Sequence, residues 1–492
     1  MSLINVKNLT FSYEGSYDNI FENVSFQIDT DWKLGLTGRN GRGKTTFLNL
    51  LLGNYEYSGA ISASTSFEYF PFHVSDKGNM TIDVVSEIFP DFIQWKLLRE
   101  LSLLGVDEDT LYQPFETLSQ GEQTKVLLAA LFLKENSFLL IDEPTNHLDM
   151  NGRKIVSDYL NTKSGFILVS HDRAFLDNCV DHILSINKTK IELQKGNFSS
   201  WLENKNRQDS FELAENEKLK KDIDRLSNAA KRTVSWSDKV EKSKKGTTNS
   251  GSKLDKGYVG HMAAKMMKRA KSIENRQQAA IEEKSKLLKN IEGSDSLKIS
   301  QLSYHKRQLV ELEKVSIFYG NKIACRDVSF IVEQGDRIAL IGKNGSGKSS
   351  IIKLICGEDM DYTGIFRKGS QLKISWVSQN TSQLQGNLTD FASSNDIDES
   401  LFKTILRKLD FSREQFEKEM SSFSAGQKKK VLIAKSLCEK AHLHIWDEPL
   451  NYIDVISRMQ IEGLLIEYSP TMLFVEHDSE FCKNIATKKL EL

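Results

Sequence analysis

Two eight-residue runs have the spacing of a phosphate-binding loop. Gly38-Arg39-Asn40-Gly41-Arg42-Gly43-Lys44-Thr45 and Gly342-Lys343-Asn344-Gly345-Ser346-Gly347-Lys348-Ser349 both read Gly-x-x-x-x-Gly-Lys-[Thr/Ser], and each follows a short apolar run. Glycines let a backbone wrap close to phosphate, so that its N–H groups and a helix N-terminus face the negative charge. In that arrangement Lys44 and Lys348 reach the β- and γ-phosphates, while the hydroxyls of Thr45 and Ser349 ligate Mg²⁺. Thr46 and Ser350, next in sequence, join the same ATP-binding set. The pattern arises by accident in roughly 2% of chains of this length, so two copies in register exclude chance. Asp142-Glu143 and Asp447-Glu448 each end an apolar run and precede Pro. At a strand end, Asp142 or Asp447 can hold Mg²⁺ through water, and Glu143 or Glu448 can polarise a water against the γ-phosphate. The chemistry these residues imply is Mg²⁺-assisted hydrolysis of a nucleoside triphosphate such as ATP.

These residues must be positioned twice. The offset between copies is 304 from Lys44 to Lys348, 305 from Glu143 to Glu448 and 306 from His171 to His477. So small a drift means a duplicated domain. Each copy occupies about 185 residues, 1–196 and 307–492, with 197–306 between them. Within a copy, apolar runs such as 33–37, 138–142 and 165–170 alternate with helical stretches, which predicts an α/β fold with a parallel sheet covered on both faces. The intervening segment differs. Leu219, Ile223, Leu226 and Ala230, and again Met266, Ala270, Ile273, Gln277, Ala280, Lys284, Leu287 and Ile291, recur at alternating spacings of four and three. This predicts two helices of an antiparallel coiled-coil hairpin, the first from about Phe211 to Lys244, joined by the turn-forming run 246–252.

Length and composition agree. At 492 residues the chain suits about three domains, and 39% hydrophobic with 27% charged residues is globular. Lys plus Arg is 66 against 67 Asp plus Glu, yet residues 231–280 hold thirteen basic and four acidic residues, a local +9 that leaves about −10 elsewhere. That basic segment, with its tip at about 244–262, is a candidate contact for nucleic acid or another anionic surface. The longest apolar run, Val126 to Leu133, is far too short to span a bilayer, and the N-terminus lacks signal-peptide character. Five cysteines without a Cys-x-x-Cys pair argue against disulfides and zinc. The expectation is a cytoplasmic protein with no membrane part.

Leu118-Ser119-Gln120-Gly121-Glu122 and its repeat Phe423-Ser424-Ala425-Gly426-Gln427 could be ordinary helix caps. Read with the phosphate loops, the Asp-Glu pairs, Asp149, Asp454 and the histidines, however, they resemble the signature motifs of ATP-binding-cassette (ABC) proteins. The resemblance covers both copies and implies two P-loop NTPase domains in a head-to-tail sandwich within one monomer. Lys44 would then share a nucleotide with Ser424, Gly426 and Gln427, and Lys348 with Ser119, Gly121 and Glu122. It further implies that His171 and His477 contact the γ-phosphate and that Tyr13 and Tyr319 stack on adenine. Gln379 resembles the glutamine that meets Mg²⁺ and water. The equivalent stretch of the first copy puts Phe72 there, and Phe can do neither, so two unequal sites are expected, the first slower.

Two such domains, a long charged helical linker and no membrane span resemble the ABC-F proteins, ribosome-associated ATPases. Asp31-Trp32-Lys33-Leu34-Gly35-Leu36, residues 211–218, Met267-Lys268-Arg269 and Trp446-Asp447-Glu448-Pro449-Leu450-Asn451-Tyr452 are similar to the Lsa group of antibiotic-resistance members. That resemblance implies binding in the ATP state to the tRNA exit site of the bacterial 70S ribosome, beside P-site tRNA. The linker tip would reach 23S rRNA near the peptidyl-transferase centre, lincosamides, pleuromutilins or streptogramin A would leave, and hydrolysis would release the protein. Lys244, Lys245, Lys253, Lys256, Lys265, Lys268 and Arg269 can neutralise phosphates and Tyr258 can stack on a base; Leu254 and Tyr258 are the expected tip residues. Three alternatives are a housekeeping translation factor of the same family, the ATPase subunit of an importer whose channel is a separate polypeptide, and a DNA-repair or chromosome-organising ATPase. The last type interrupts a cassette with its coiled coil, whereas both cassettes here are continuous.

Overall fold

The computed structural model describes all residues except 1, 16–17, 147, 188, 321, 383 and, within 244–301, all but 265, 268, 271, 272 and 276. The chain divides into two compact units: Met1–Trp201 with Ser296–Leu492, and Leu202–Asp295. The first unit holds both copies of the repeat. In the first copy a three-stranded antiparallel sheet is made of β1 (Leu3–Phe11), β2 (Phe21–Asp29) and β4 (Ser58–Ser62) in the order β2-β1-β4. A six-stranded sheet runs β5-β6-β7-β3-β8-β9, from β3 (Lys33–Gly38), β5 (Ser66–Phe70), β6 (Ser137–Asp142), β7 (Phe166–Val169), β8 (His182–Asn187) and β9 (Lys190–Lys195). All its pairings are parallel except β8 with β9.

The second copy repeats this plan. The antiparallel sheet is β11-β10-β13, from β10 (Gln308–Tyr319), β11 (Lys322–Glu333) and β13 (Asp361–Lys368). The parallel sheet is β14-β15-β16-β12-β17, from β12 (Arg337–Ile341), β14 (Ile374–Val377), β15 (Leu443–Asp447), β16 (Met472–Val475) and β17 (Lys488–Glu491). The near-continuous apolar runs seen in sequence are these central strands, because a strand covered on both faces has no solvent side to alternate with.

Burial explains the order of layers. Phe47, Leu48 and Leu51, on the helix that follows the first phosphate loop, pack between Leu34, Leu36, Leu140 and Ile167 of the parallel sheet and Ile4 and Val6 of the antiparallel one. Ile351, Ile352 and Ile355 do the same in the second copy, against Leu340, Ile445 and Val475 on one side and Val310 and Leu312 on the other. The opposite face of the second sheet is covered by helices whose Phe402, Ile405, Val431 and Ile461 surround Trp446. Trp446 is fully buried, and its indole N–H donates to Ser436 Oγ at 2.9 Å, which removes the cost of burying that polar atom.

The helix Phe198–Ser243 carries the chain out of the first copy and through most of the linker's first half. It starts 13 residues before the expected Phe211, because Phe198 and Trp201 are buried and give its first turn a packing role. Residues 265, 268, 271, 272 and 276 are helical. The expected tip residues Lys244, Lys245, Lys253, Leu254, Lys256 and Tyr258 lie outside the described residues, as does most of the second arm.

Trp446→Ala should cost about 3–5 kcal/mol of stability, the usual effect of deleting a buried aromatic, read as a lowered urea midpoint. A loss below about 1 kcal/mol would contradict the packing described.

Candidate nucleotide sites

Each phosphate loop joins a central strand to a helix beginning at its lysine. The residue before that helix has a left-handed backbone, φ 89° at Gly43 and 88° at Gly347. A Cβ there would sit 2.6 Å from Ile20 Cγ2 or 2.7 Å from the Ala324 carbonyl oxygen, so only glycine fits. Lys44 is buried and donates to the Gly38 carbonyl at 2.8 Å; Lys348 donates to those of Gly342 and Lys343 at 2.8 Å each. Thus each ammonium is folded over its own loop, where an incoming phosphate meets it.

Beside each loop, Thr45 Oγ1 donates to Asp142 Oδ2 at 3.1 Å and Ser349 Oγ to Asp447 Oδ1 at 3.3 Å. A hydroxyl and a carboxylate side by side are the oxygen donors a hard cation such as Mg²⁺ takes. Mg²⁺ held there would neutralise charge on the terminal phosphates. Glu143 and Glu448 have left-handed backbones, φ 52° and 46°, a strained state for glutamate that clusters at functional sites. Each faces a histidine: His171 Nε2 is 3.1 Å from Glu143 Oε1, and His477 Nε2 is 3.5 Å from Glu448 Oε1.

The two loops meet the opposite copy differently. A cavity of about 900 Å³ is lined by Lys343 to Gly345, Gly347 to Ser349, Tyr319, Gln379, Glu448 and His477 of the second copy and by Ser119 to Glu122, Asp149 and Arg153 of the first. Ser119 and Glu122 also close a reciprocal capping box, Ser119 Oγ accepting from the Glu122 amide at 3.3 Å. Cap and ligand-facing position are therefore one feature. Around the first loop, by contrast, the copies touch. Asn40 Nδ2 donates to the Tyr452 carbonyl at 2.7 Å, the Asn40 amide to Asp454 Oδ2 at 3.4 Å, and Arg39 pairs with Asp410. A Cβ on Gly426 would meet Asn40 Nδ2 at 3.0 Å, so this glycine is what permits the approach. Tyr13, exposed, bonds Thr46 Oγ1 at 2.7 Å; Tyr319, exposed, lies 3.3 Å from Ser350 Oγ.

The ABC transporter family model matches residues 21–146 and 325–451, just over half of the chain and one stretch in each copy. The chain belongs to that family. It is 29% identical to the ATP-binding protein Uup of Buchnera aphidicola subsp. Acyrthosiphon pisum, over 99% of this chain and 80% of that one. It is 26% identical to the ribosome protection protein VmlR of Bacillus subtilis, over 97% and 85%. The fold is similar to that of an archaeal ribosome recycling factor solved in complex with a ribosomal stalk protein, with TM-score 0.63, 17% identity and coverage of 98% and 87%. The chain is an ABC-F-type protein with two ABC ATPase domains.

Within the two ABC domains, electrostatics separates the sites. Burial, with Asp142 beside it, pushes the Glu143 carboxyl up to about 8, and burial with the charge of Lys44 pushes His171 well below the usual imidazole range. Burial also pushes at Glu448, but the hydrogen bond and charge of His477, with Lys429 and Lys348, outweigh it and hold Glu448 below the usual range. Burial raises Asp142, and raises Asp447 to about 6.

Register explains the missing glutamine. Phe70 pairs with Ile141 as Val377 pairs with Trp446, so Phe72 stands where Gln379 does. One polar contact appears that the motifs did not reveal: Tyr69 Oη donates to Asp142 Oδ2 at 3.1 Å. Its counterpart Trp376 has a buried indole N–H without a partner. Aligning the two copies through their Asp-Glu strands would have exposed this difference. Asp149 and Asp454, named above among the motif residues but given no site role, and Lys125 and Lys430, which the motifs did not reveal, also line or brace the sites.

First-site hydrolysis, isolated in Glu448→Gln, should be roughly tenfold slower at pH 7 than at pH 8.5, because a base titrating near 8 is mostly protonated at 7. Second-site hydrolysis, isolated in Glu143→Gln, should be flat over that interval. Single-turnover rates from pH 6.5 to 9 check both, and superimposable profiles would contradict the difference.

Proposed function

We propose that this ABC-F ATPase acts on the bacterial ribosome in the cytoplasm. Its ATP-bound form, closed as a sandwich of domains 1–196 and 307–492, occupies the tRNA exit site. The linker 197–306, a coiled-coil hairpin, reaches beside P-site tRNA toward 23S rRNA at the peptidyl-transferase centre. Lincosamides, pleuromutilins or streptogramin A then leave, and hydrolysis at Glu143 and Glu448 opens the sandwich for release.

The observation carrying this reading is the likeness, across 97% of the chain, to a protein described as a ribosome protection protein. It is supported by a local charge of +9 in residues 231–280, a density suited to RNA phosphates. The resemblance of both domains and the linker to the Lsa group supports the drug classes. A housekeeping translation factor of the same family is the second reading, since the same two domains and basic linker would serve it. Among the described residues no helix is long and apolar enough to cross a membrane, which an importer ATPase with a separate channel would share; the basic linker between the two domains is what weighs against that reading.

Purified protein with ATP, added to a bacterial cell-free translation reaction stalled by lincomycin or tiamulin, should restore synthesis, and Glu143→Gln/Glu448→Gln should not sustain it. Ribosome binding without restoration would favour the housekeeping role. Absence of ribosome binding would overturn both.

A further inference from the structure

Two consecutive lysines on the second signature helix, Ala425–Cys438, are almost fully buried, Lys429 at 4% and Lys430 at 5% exposure. They serve opposite sites. Lys430 donates to the Leu409 carbonyl at 2.9 Å and to Asp454 Oδ2 at 3.3 Å. Asp454 accepts the Asn40 amide of the first phosphate loop, and Asp410, next to Leu409, pairs with Arg39 of the same loop. Lys429 points the other way, donating to the Ser378 carbonyl at 3.0 Å and the Glu448 carbonyl at 3.3 Å. Ser378 immediately precedes Gln379, and Glu448 is the second-site carboxylate.

Among the described residues the first copy has no such link. The position of Lys429 is filled by Thr124, whose hydroxyl turns back to the Gln120 carbonyl of its own helix at 2.9 Å. The difference is matched in charge. Lys429 lies in the field of Glu476, Asp447 and Glu448, and Glu476 replaces Ser170 of the first copy. Buried Glu476 is itself held by the amides of Leu450 and His477, at 3.2 and 3.1 Å. A buried ammonium needs such compensation, so Lys429 and Glu476 form one added unit of the second domain.

We infer that Lys429 is a positioning residue that ties the Gln379 segment and the Glu448 turn to the helix touching the first phosphate loop, so that the first site's occupancy sets the hydrolysis rate at the second. Among the described residues no equivalent tie runs from the second site to the first. Reciprocity binds equilibrium affinities and not rates, so one-way control of turnover is allowed. The inference rests on ATP hydrolysis at Glu448 and is independent of the ribosomal role.

The test uses the full chain without ribosomes. Second-site single-turnover hydrolysis is measured in Glu143→Gln, where the first site keeps its ATP, and in Lys44→Ala, where it does not. With Lys429 intact the first rate should exceed the second at least tenfold. Lys429→Met should bring the ratio within twofold, and Lys429→Arg, which keeps a donor, should restore part of it. Should Lys429→Met fail to melt cooperatively, Lys429→Gln takes its place. A ratio near one with Lys429 intact, or a ratio unchanged by the substitution, overturns the inference. Persistence of hydrolysis in Glu143→Gln/Glu448→Gln would instead overturn the assignment of Glu448 on which it rests.

Discussion

Everything in the larger unit depends on the approach of one copy's signature helix to the other copy's phosphate loop. A loop of amides and a lysine is only half a nucleotide site, because it contacts phosphates from one side. The other side comes from residues about 230 to 390 positions away: Ser119 to Glu122 across the second cavity, and Gly426 against Asn40 in the first. Glycine at 426 serves that contact, since a methyl group would press on Asn40 Nδ2 at 3.0 Å as well as colliding with the Tyr452 carbonyl of its own copy at 2.3 Å. The interface is held outside the loops too, where Arg173 of the first copy donates to Glu462 of the second at 2.6 Å.

Duplication did not produce equivalence. The second site combines a roomy cavity, Gln379 and a glutamate surrounded by His477, Lys429 and Lys348. The first has a loop gripped by Asp454, Tyr452 and Asp410, a phenylalanine in place of the glutamine, and a glutamate whose burial favours its neutral form. These differences all bear on the expectation that the first site turns over more slowly than the second. Asp454 shows how the grip is maintained. Burial opposes its charge, yet Lys430, the Ser457 amide and Lys44 hold its carboxyl well below the usual range, so the anion facing the first loop persists.

Much of this is legible in sequence because it is encoded locally. The phosphate loops, Asp-Glu pairs and apolar central strands each occupy a few consecutive residues, and an offset drifting only from 304 to 306 reveals the duplication. The α/β fold with two ABC domains follows from them. What stays hidden are partnerships without a local pattern. Asn40 with Asp454 spans 414 residues, and Tyr69 with Asp142 needs the exact strand register. Lys429 reads as one of three lysines in a row, a run that suggests a solvated face; only the fold shows that it is buried. The early start of the linker helix was hidden for a similar reason. Phe198 and Trp201 are too few to set a period, and it is burial that recruits them.

The composite nature of the sites is most directly tested by a double-mutant cycle on ATP binding by calorimetry. Gly121→Asp in the first domain and Lys348→Ala in the second lie 227 residues apart in sequence but line the same cavity. Each should abolish the same one of two binding events, and the double variant should lose no more than either single one. Loss of different events, or additive loss of both, would mean that the two residues serve separate sites and that the head-to-tail arrangement is wrong.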